Sequence, residues 1–419
     1  MTPEVKERIE QIRHGIVPEG YKRTKAGIYP EDWEEYTLGD IYTERKEPGN
    51  ENLPLLMVSI HSGVSDGEVD EAELPKKVKR IEDKSQYKRA TSGDLVFNMM
   101  RAWQGAIGTV RTEGMVSPAY IVAEPNKLVD PLFMDYLMRT PRMVGTIHKQ
   151  SYGVTDFRLR LYWDSFAPIH CVLPSVPEQE KIGEAVDIQN KIIDLKEKLL
   201  AEKQRQKKYL MQQLLTGKKR LPGFDGEWKS EKLSDFCNFI GGGTPDTKNP
   251  EYWNGIIPWI SSSDLEIGNI HDVAITRYIS EDAIRESATK LCKAGTILLV
   301  SRVGVGKIAI APVDLCTSQD FVNLVQQKHN ATFLMYSLCL MMQSKSNQVQ
   351  GSAIKGIPSK EIKEYTLRFP KLDEQEAIAL CLSNADREIN LLKQNVEQEK
   401  QKKKALMQLL LTGIVRVNK

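Results

Sequence analysis

Apolar residues recur on a four-three spacing near the end of the chain. Ile378, Leu382, Ala385, Ile389, Leu392, Val396, Leu406 and Leu410 fall on one stripe, with Glu399 and Lys403 in the same register. A second stripe lies earlier: Ile182, Val186, Ile193, Leu200, Leu210 and Leu214, interrupted by Gln189, Lys196, Lys203 and Lys207. This period predicts two long helices that pair in coiled-coil fashion. The two segments are copies. Pro174 to Arg220 aligns with Pro370 to Arg416 at an offset of 196, so that Glu178-Gln179-Glu180 meets Glu374-Gln375-Glu376 and Leu214-Leu215-Thr216-Gly217 meets Leu410-Leu411-Thr412-Gly413. Gly217 and Gly413 fit the left-handed stop of a helix. An amphipathic helix within a domain is the plainer alternative; the duplication favours two spacers that pack together.

Between the helices the pattern changes to short apolar runs broken by Gly and polar turns, as expected of mixed α/β globules. These also repeat. DWEEYTLGDI (32–41) matches EWKSEKLSDF (227–236), pairing Trp33 with Trp228. SGDLVFN (92–98) parallels AGTILLV (294–300), and SPAY (117–120) parallels SQDF (318–321). A short helix follows in each, around Tyr136 and Tyr336. Residues 1–30 contain a fragment of the long helix, with Arg8 to Gly15 lying over Leu210 to Gly217, followed by a stretch punctuated like a linker. The order is helix end, globule, long helix, globule, long helix: a nearly circular repeat with pseudo-two-fold character. Antiparallel helices would place a reader at each end of a rod, which suits a target with two separated half-sites, such as duplex DNA.

Composition adds bounds. The 419 residues call for two or more domains, and 41% hydrophobic with 27% charged residues describes a soluble globular chain. Net charge is only +2, but Lys196 to Arg220 holds nine Lys or Arg against two Glu, either a solvated helix face or a surface for an acidic partner. The six cysteines form no CxxC pair and the six histidines do not cluster with them, so neither a metal site nor a disulfide framework is expected. No signal peptide or membrane span is read, and a cytoplasmic location is expected.

Two motifs suggest catalysis and then fail. Phe239-Ile240-Gly241-Gly242-Gly243 has the form of an S-adenosylmethionine loop, and Asn249-Pro250-Glu251-Tyr252 is close to NPPY, but no α/β sheet fits between them. Gly304-Val305-Gly306-Lys307 hints at a phosphate loop, yet Ser301 stands where Gly is required and Ile308 where Ser or Thr is required. What remains suits binding. Arg101, Trp103 and Gln104 share one loop, and Arg and Gln are the side chains that pair bidentately with guanine and adenine. Arg302, Lys307 and the turn 317–320 offer similar chemistry. For each of these residues a core or surface role is the alternative.

Taken as a set, GGTPDTKNPEYWNGIIPWISSSDL (242–265), AGTILLVSRVGVGKIAIA (294–311), TSQDF (317–321) and the twin EQE…LLTG blocks resemble the specificity subunit of type I restriction-modification enzymes. GDLVFNMMRAWQGAIG (93–108) and VSPAY (116–120) carry the resemblance in the first half. It implies an α+β fold with a helical segment and linker (1–30), target-recognition domains at 31–173 and 221–369, and long antiparallel coiled-coil-like helices at 174–220 and 370–419. It implies a non-catalytic subunit that reads a split, asymmetric site on double-stranded DNA. Two adenine-methylating methyltransferase subunits and two motor-nuclease subunits would dock on it, with S-adenosylmethionine, Mg and ATP bound only by those partners. Candidate DNA-binding residues are Arg101, Trp103, Gln104, Ser117, Tyr120, Thr244, Ser262, Arg302, Lys307, Ser318, Gln319 and Lys355. The competing readings are an adenine methyltransferase with a fused recognition domain and a coiled-coil adaptor.

Overall fold

The computed structural model describes residues 2–60, 62–65, 84–153, 155, 158–268, 270–326, 328–348 and 356–417. The chain divides into two contact units. Unit 1 holds residues 1–195 and 396–419, and unit 2 holds residues 196–395. No helix among the described residues is long and apolar enough to cross a membrane.

Both long helices are present, Val176–Leu214 and Leu372–Leu410, 39 residues each and about 58 Å long. Each contributes one half to each unit, and within a unit the two halves run antiparallel. In unit 1, Gln189 donates to the Glu399 carboxylate at 2.7 Å. In unit 2, Lys196 reaches Asn395, Lys203 reaches Glu388 at 2.7 Å, and Lys207 reaches Asp386. The polar interruptions of the first stripe therefore each meet a polar partner on the other long helix. Ile193, Ile389 and Val396 are buried between these pairs, and Ile182, Val186, Ile378 and Leu382 continue the stripe into the globule cores.

The globules share one topology. In unit 1 the main sheet is antiparallel in the order Tyr42–Arg45, Tyr120–Pro125, Leu95–Asn98, Ile107–Thr109; in unit 2 it is Asn238–Gly241, Phe321–Val325, Ile297–Val300, Ile308–Ile310. Leu95–Asn98 and Ile297–Val300 are buried at every position, which explains why they read as apolar runs, with Asn98 the one polar residue in them. Unit 2 adds a second four-stranded sheet in which Ile257–Ile260 runs parallel to Leu315–Thr317.

The repeated motifs clasp each globule to its helices. Gln179 accepts from the Asp130 amide at 2.9 Å and donates to the Leu128 and Pro174 carbonyls. Gln375 accepts from the Asn330 amide at 3.0 Å and donates to the Pro370 carbonyl and to Nδ1 of His329. Arg416 grips Glu178 through two bonds of 2.6 Å and lies over the Trp33 ring; Arg220 grips Glu374 the same way and lies over Trp228. The glycines that end the helices, Gly15, Gly217 and Gly413, have φ of 73°, 70° and 68°, a region where a Cβ is strained. The N-terminal fragment, Pro3–Arg13, thus ends as its two longer relatives do. The stretch after it, expected to be a linker, is instead a hairpin, Tyr21–Thr24 with Gly27–Pro30. The Tyr21 hydroxyl donates to the Gly413 carbonyl at 2.7 Å, and Trp33 is fully buried. The turn glycines that punctuate the stretch serve a packed element.

Candidate nucleic-acid interface

In each unit a central strand of the main sheet is joined to the edge strand beside it by a tip that carries the chemistry. In unit 1 the tip spans residues 99–106, with a single 3-10 turn at Ala102–Gln104 closed by Gly105 at φ 102°. Ala102 is buried and pins the turn. Trp103 is half-buried: its indole N–H donates to the Met100 carbonyl at 3.0 Å, and its ring lies 5.6 Å from that of His148. This leaves Arg101 and Gln104 exposed, without a side-chain partner among the described residues, beside Met100, which is 47% exposed.

The unit 2 tip spans residues 301–307. Arg302 is exposed and unpartnered among the described residues, and Val303 is 70% exposed. Lys307 is not free. Its ammonium donates to the Ser262 carbonyl at 2.7 Å, and Ser262 is buried in a turn capped by Asp264. These two candidates hold one another and fix the base of the tip. Thr244 donates to Oε1 of the exposed Gln319, which leaves the Gln319 amide N–H₂ turned outward. Ser318 is buried, bonded to Asp320 and, through its amide, to the Ile260 carbonyl at 2.9 Å. In unit 1, Ser117 and Tyr120 form the equivalent turn, the Tyr120 amide bonding the Ser117 carbonyl at 2.9 Å. The Tyr120 carbonyl accepts from Lys88, whose ammonium is pulled below the usual lysine range by burial against the opposing pull of Glu44. Lys355 lies outside the described residues.

The tips therefore unite Arg101, Trp103 and Gln104 in unit 1, and Arg302 with Gln319 in unit 2. Ser262, Lys307 and Ser318 support them from beneath. A cavity of about 570 Å³ opens beside Arg302, lined also by Phe239, Gln319 and Lys363. Sequence reasoning passed over Phe239 and Lys363 as binding residues; only the Gly-rich run after Phe239 marked the place. That run is structural. A Cβ on Gly242 would sit 2.0 Å from the Ser318 carbonyl oxygen, and one on Gly243 would sit 2.4 Å from the Thr289 amide. Asn249 caps the turn Pro250–Trp253, accepting from the Glu251 amide at 3.1 Å. The resemblance to a methyltransferase loop pair is thus accounted for by turn geometry and close packing.

The family model described as the type I restriction modification DNA specificity domain matches residues 225–400. The MjaIX specificity subunit of Methanocaldococcus jannaschii is 35% identical over 42% of this chain and 41% of its own length. The putative MjaX specificity subunit of the same organism is 24% identical over 95% of this chain and 97% of its own. The EcoR124I/EcoR124II specificity subunit of Escherichia coli is 29% identical over 55% and 58%. The chain thus spans less than half of the first of these relatives and nearly all of the second. Among solved structures, a chain from a study of complex assembly and conformational transition in a type I system superposes with a TM-score of 0.57 at 19% identity, covering 92% of this chain and 99% of that one. The specificity subunit of M. genitalium gives 0.53 at 12%, covering 92% and 97%. These two share the fold. Residues 225–400 thus match the type I restriction modification DNA specificity domain, and the chain as a whole, with its two globules and twin long helices, is similar along almost its full length to the putative MjaX specificity subunit.

Proposed function

We propose that this chain is the non-catalytic DNA-recognition subunit of a type I restriction-modification complex, each unit reading one half of a split site. The observation that carries the reading is the matched pair of tips. Two globules with the same main-sheet order present, at the same strand junction, one arginine unpartnered among the described residues beside an exposed apolar side chain, Arg101 with Met100 and Arg302 with Val303. Guanidinium groups supply phosphate attraction and bidentate guanine contacts, and apolar side chains meet thymine methyls. The residues of the two tips otherwise differ, so the half-sites differ.

Docking of two methyltransferase subunits is supported by the long helices. Leu195 and Leu391 are equivalent at the offset of 196, and they are 65% and 60% exposed. Leucines this exposed at matching positions of twin helices suit two copies of one partner. Recruitment of two motor-nuclease subunits follows from the family alone. The test is methylome sequencing of a host that expresses the chain with its methyltransferase partner. A split, asymmetric adenine-methylated motif is expected, and exchange of residues 221–369 for those of a relative should alter one half only. Methylation without sequence preference would favour the adaptor reading, and S-adenosylmethionine binding by the chain alone would favour the enzyme reading.

A further inference from the structure

The cavity in unit 2 has a one-sided chemistry. Arg302 and Lys363 both line it, and neither forms an ion pair among the described residues. Among the described residues no carboxylate lines it. Asp320, next in sequence to Gln319, is turned toward Ser318. Gln319 lines the cavity with its oxygen accepting from Thr244, so its amide N–H₂ can donate there. Ser301 also lines it, its hydroxyl proton donated to the Asp320 carbonyl at 3.2 Å, and Phe239 and Phe321 give an aromatic wall, with the Lys363 ammonium 5.3 Å from the Phe239 ring centre. Cations, donors and an apolar wall with no acceptor charge describe a site for an anion that carries an organic group.

Unit 1 lacks this arrangement at the equivalent position. Ala123 pairs with Leu95 and Glu44, as Leu324 pairs with Ile297 and Phe239. Glu44 therefore stands where Phe239 stands. It places a carboxylate there, bridged to Lys46 at 3.1 Å.

We propose that this cavity seats one phosphate ester: a backbone phosphate of the bound duplex with its deoxyribose, the phosphate on Arg302 and Lys363 and the sugar against Phe239. The proposal rests on the reading of unit 2 as a DNA reader and names one contact within it. The volume exceeds that of a phosphate alone and leaves room for the sugar. Arg302 belongs both to the tip and to the cavity, so a strand whose bases meet the tip brings its backbone to the cavity mouth. Because unit 1 carries Glu44, only one half-site has this anchor.

The test uses the full chain assembled with its methyltransferase partner, on duplexes containing the methylated motif in which each phosphate in turn is replaced by an uncharged methylphosphonate. One phosphate on the unit 2 side should show a loss of affinity, and the paired substitutions Arg302→Gln and Lys363→Gln should abolish that loss at that phosphate alone. The same variant should bind unrelated duplexes more weakly as well as the cognate one, with the salt slope reduced by about 0.9 in total, the share of one phosphate. Its melting curve reports folding. If the folded variant keeps the wild-type phosphonate profile and salt slope, the cavity is not a phosphate seat, while sequence-specific binding still supports the reader. If the wild-type complex shows no sequence preference, the reader itself fails. Saturable binding of AMP that the duplex does not displace would overturn the backbone assignment.

Discussion

Replacing Arg416 with Ala tests the clasp of unit 1. The guanidinium makes two bonds to Glu178 and two to Asp32, and its plane covers Trp33. Glu178 has a side chain only 8% exposed, whereas Arg416 is 30% exposed and Asp32 49%. Breaking a buried pair costs about 3–5 kcal/mol, because one charge is left buried and unpaired. The partial exposure of Arg416 admits water to Glu178 and places the loss at the low end. The exposed Asp32 pair adds only about 0–1 kcal/mol. A loss of about 3 kcal/mol corresponds to roughly two decades in opening equilibrium. Hydrogen exchange followed by mass spectrometry should therefore show protection falling about a hundredfold in peptides around Trp33 and Glu178. Peptides around Trp228 and Glu374, held by Arg220, should not change. Equal losses in both regions, or a change below threefold around Glu178, would refute the argument that this grip holds unit 1 closed.

Arg101→Ala should weaken binding of the cognate duplex by about 1–3 kcal/mol and relax preference at one base pair, measured by titration with single-substituted duplexes; unchanged affinity in a folded variant removes Arg101 from base reading. Burial holds the His329 imidazole below its ordinary range despite Glu231, and Nδ1 is occupied as an acceptor for Gln375. The unfolded chain takes up this proton more readily, so unit 2 should be at full stability above a pH of about 6.5 and lose it as pH falls below that value, with exchange in unit 1 less affected. Burial pushes the Cys171, Cys237 and Cys292 thiols up to about 12 and Cys316 up to about 11, and raises Cys339, while Cys381 is only half-buried. Alkylation of the native protein at neutral pH should modify Cys381 first; prior modification of Cys292 or Cys316 would contradict their burial.

The repeat was legible because its parts are local. The offset of 196, the apolar stripes and the matched Trp33 and Trp228 all survive as written in the chain, and the structure gives each a physical role in the same clasp. The seam's polar interruptions were visible, but their partners were not: the pairing of Gln189 with Glu399 or Lys207 with Asp386 depends on the register between two helices far apart in sequence. The site was legible in part. Arg101 and Arg302 stand out because glycines bound their loops. Lys307 and Ser262 carry equally suitable groups, and only tertiary packing reveals that they satisfy each other. Phe239 and Lys363 meet across the cavity through separate elements, so no spacing in the chain could announce them.

The split of unit 1 has a consequence for synthesis on the ribosome. Unit 2 is one unbroken stretch, whereas unit 1 closes only when residues 396–419 arrive. Arg416 follows Glu178 by 238 residues. At about 5–20 residues per second, the first-made globule waits roughly 10–50 s for the segment that covers Trp33 and neutralises Glu178. During that interval unit 2 can fold to completion. The N-terminal half thus emerges first and matures last, leaving the face for Leu410 and Leu411 open to chaperones throughout.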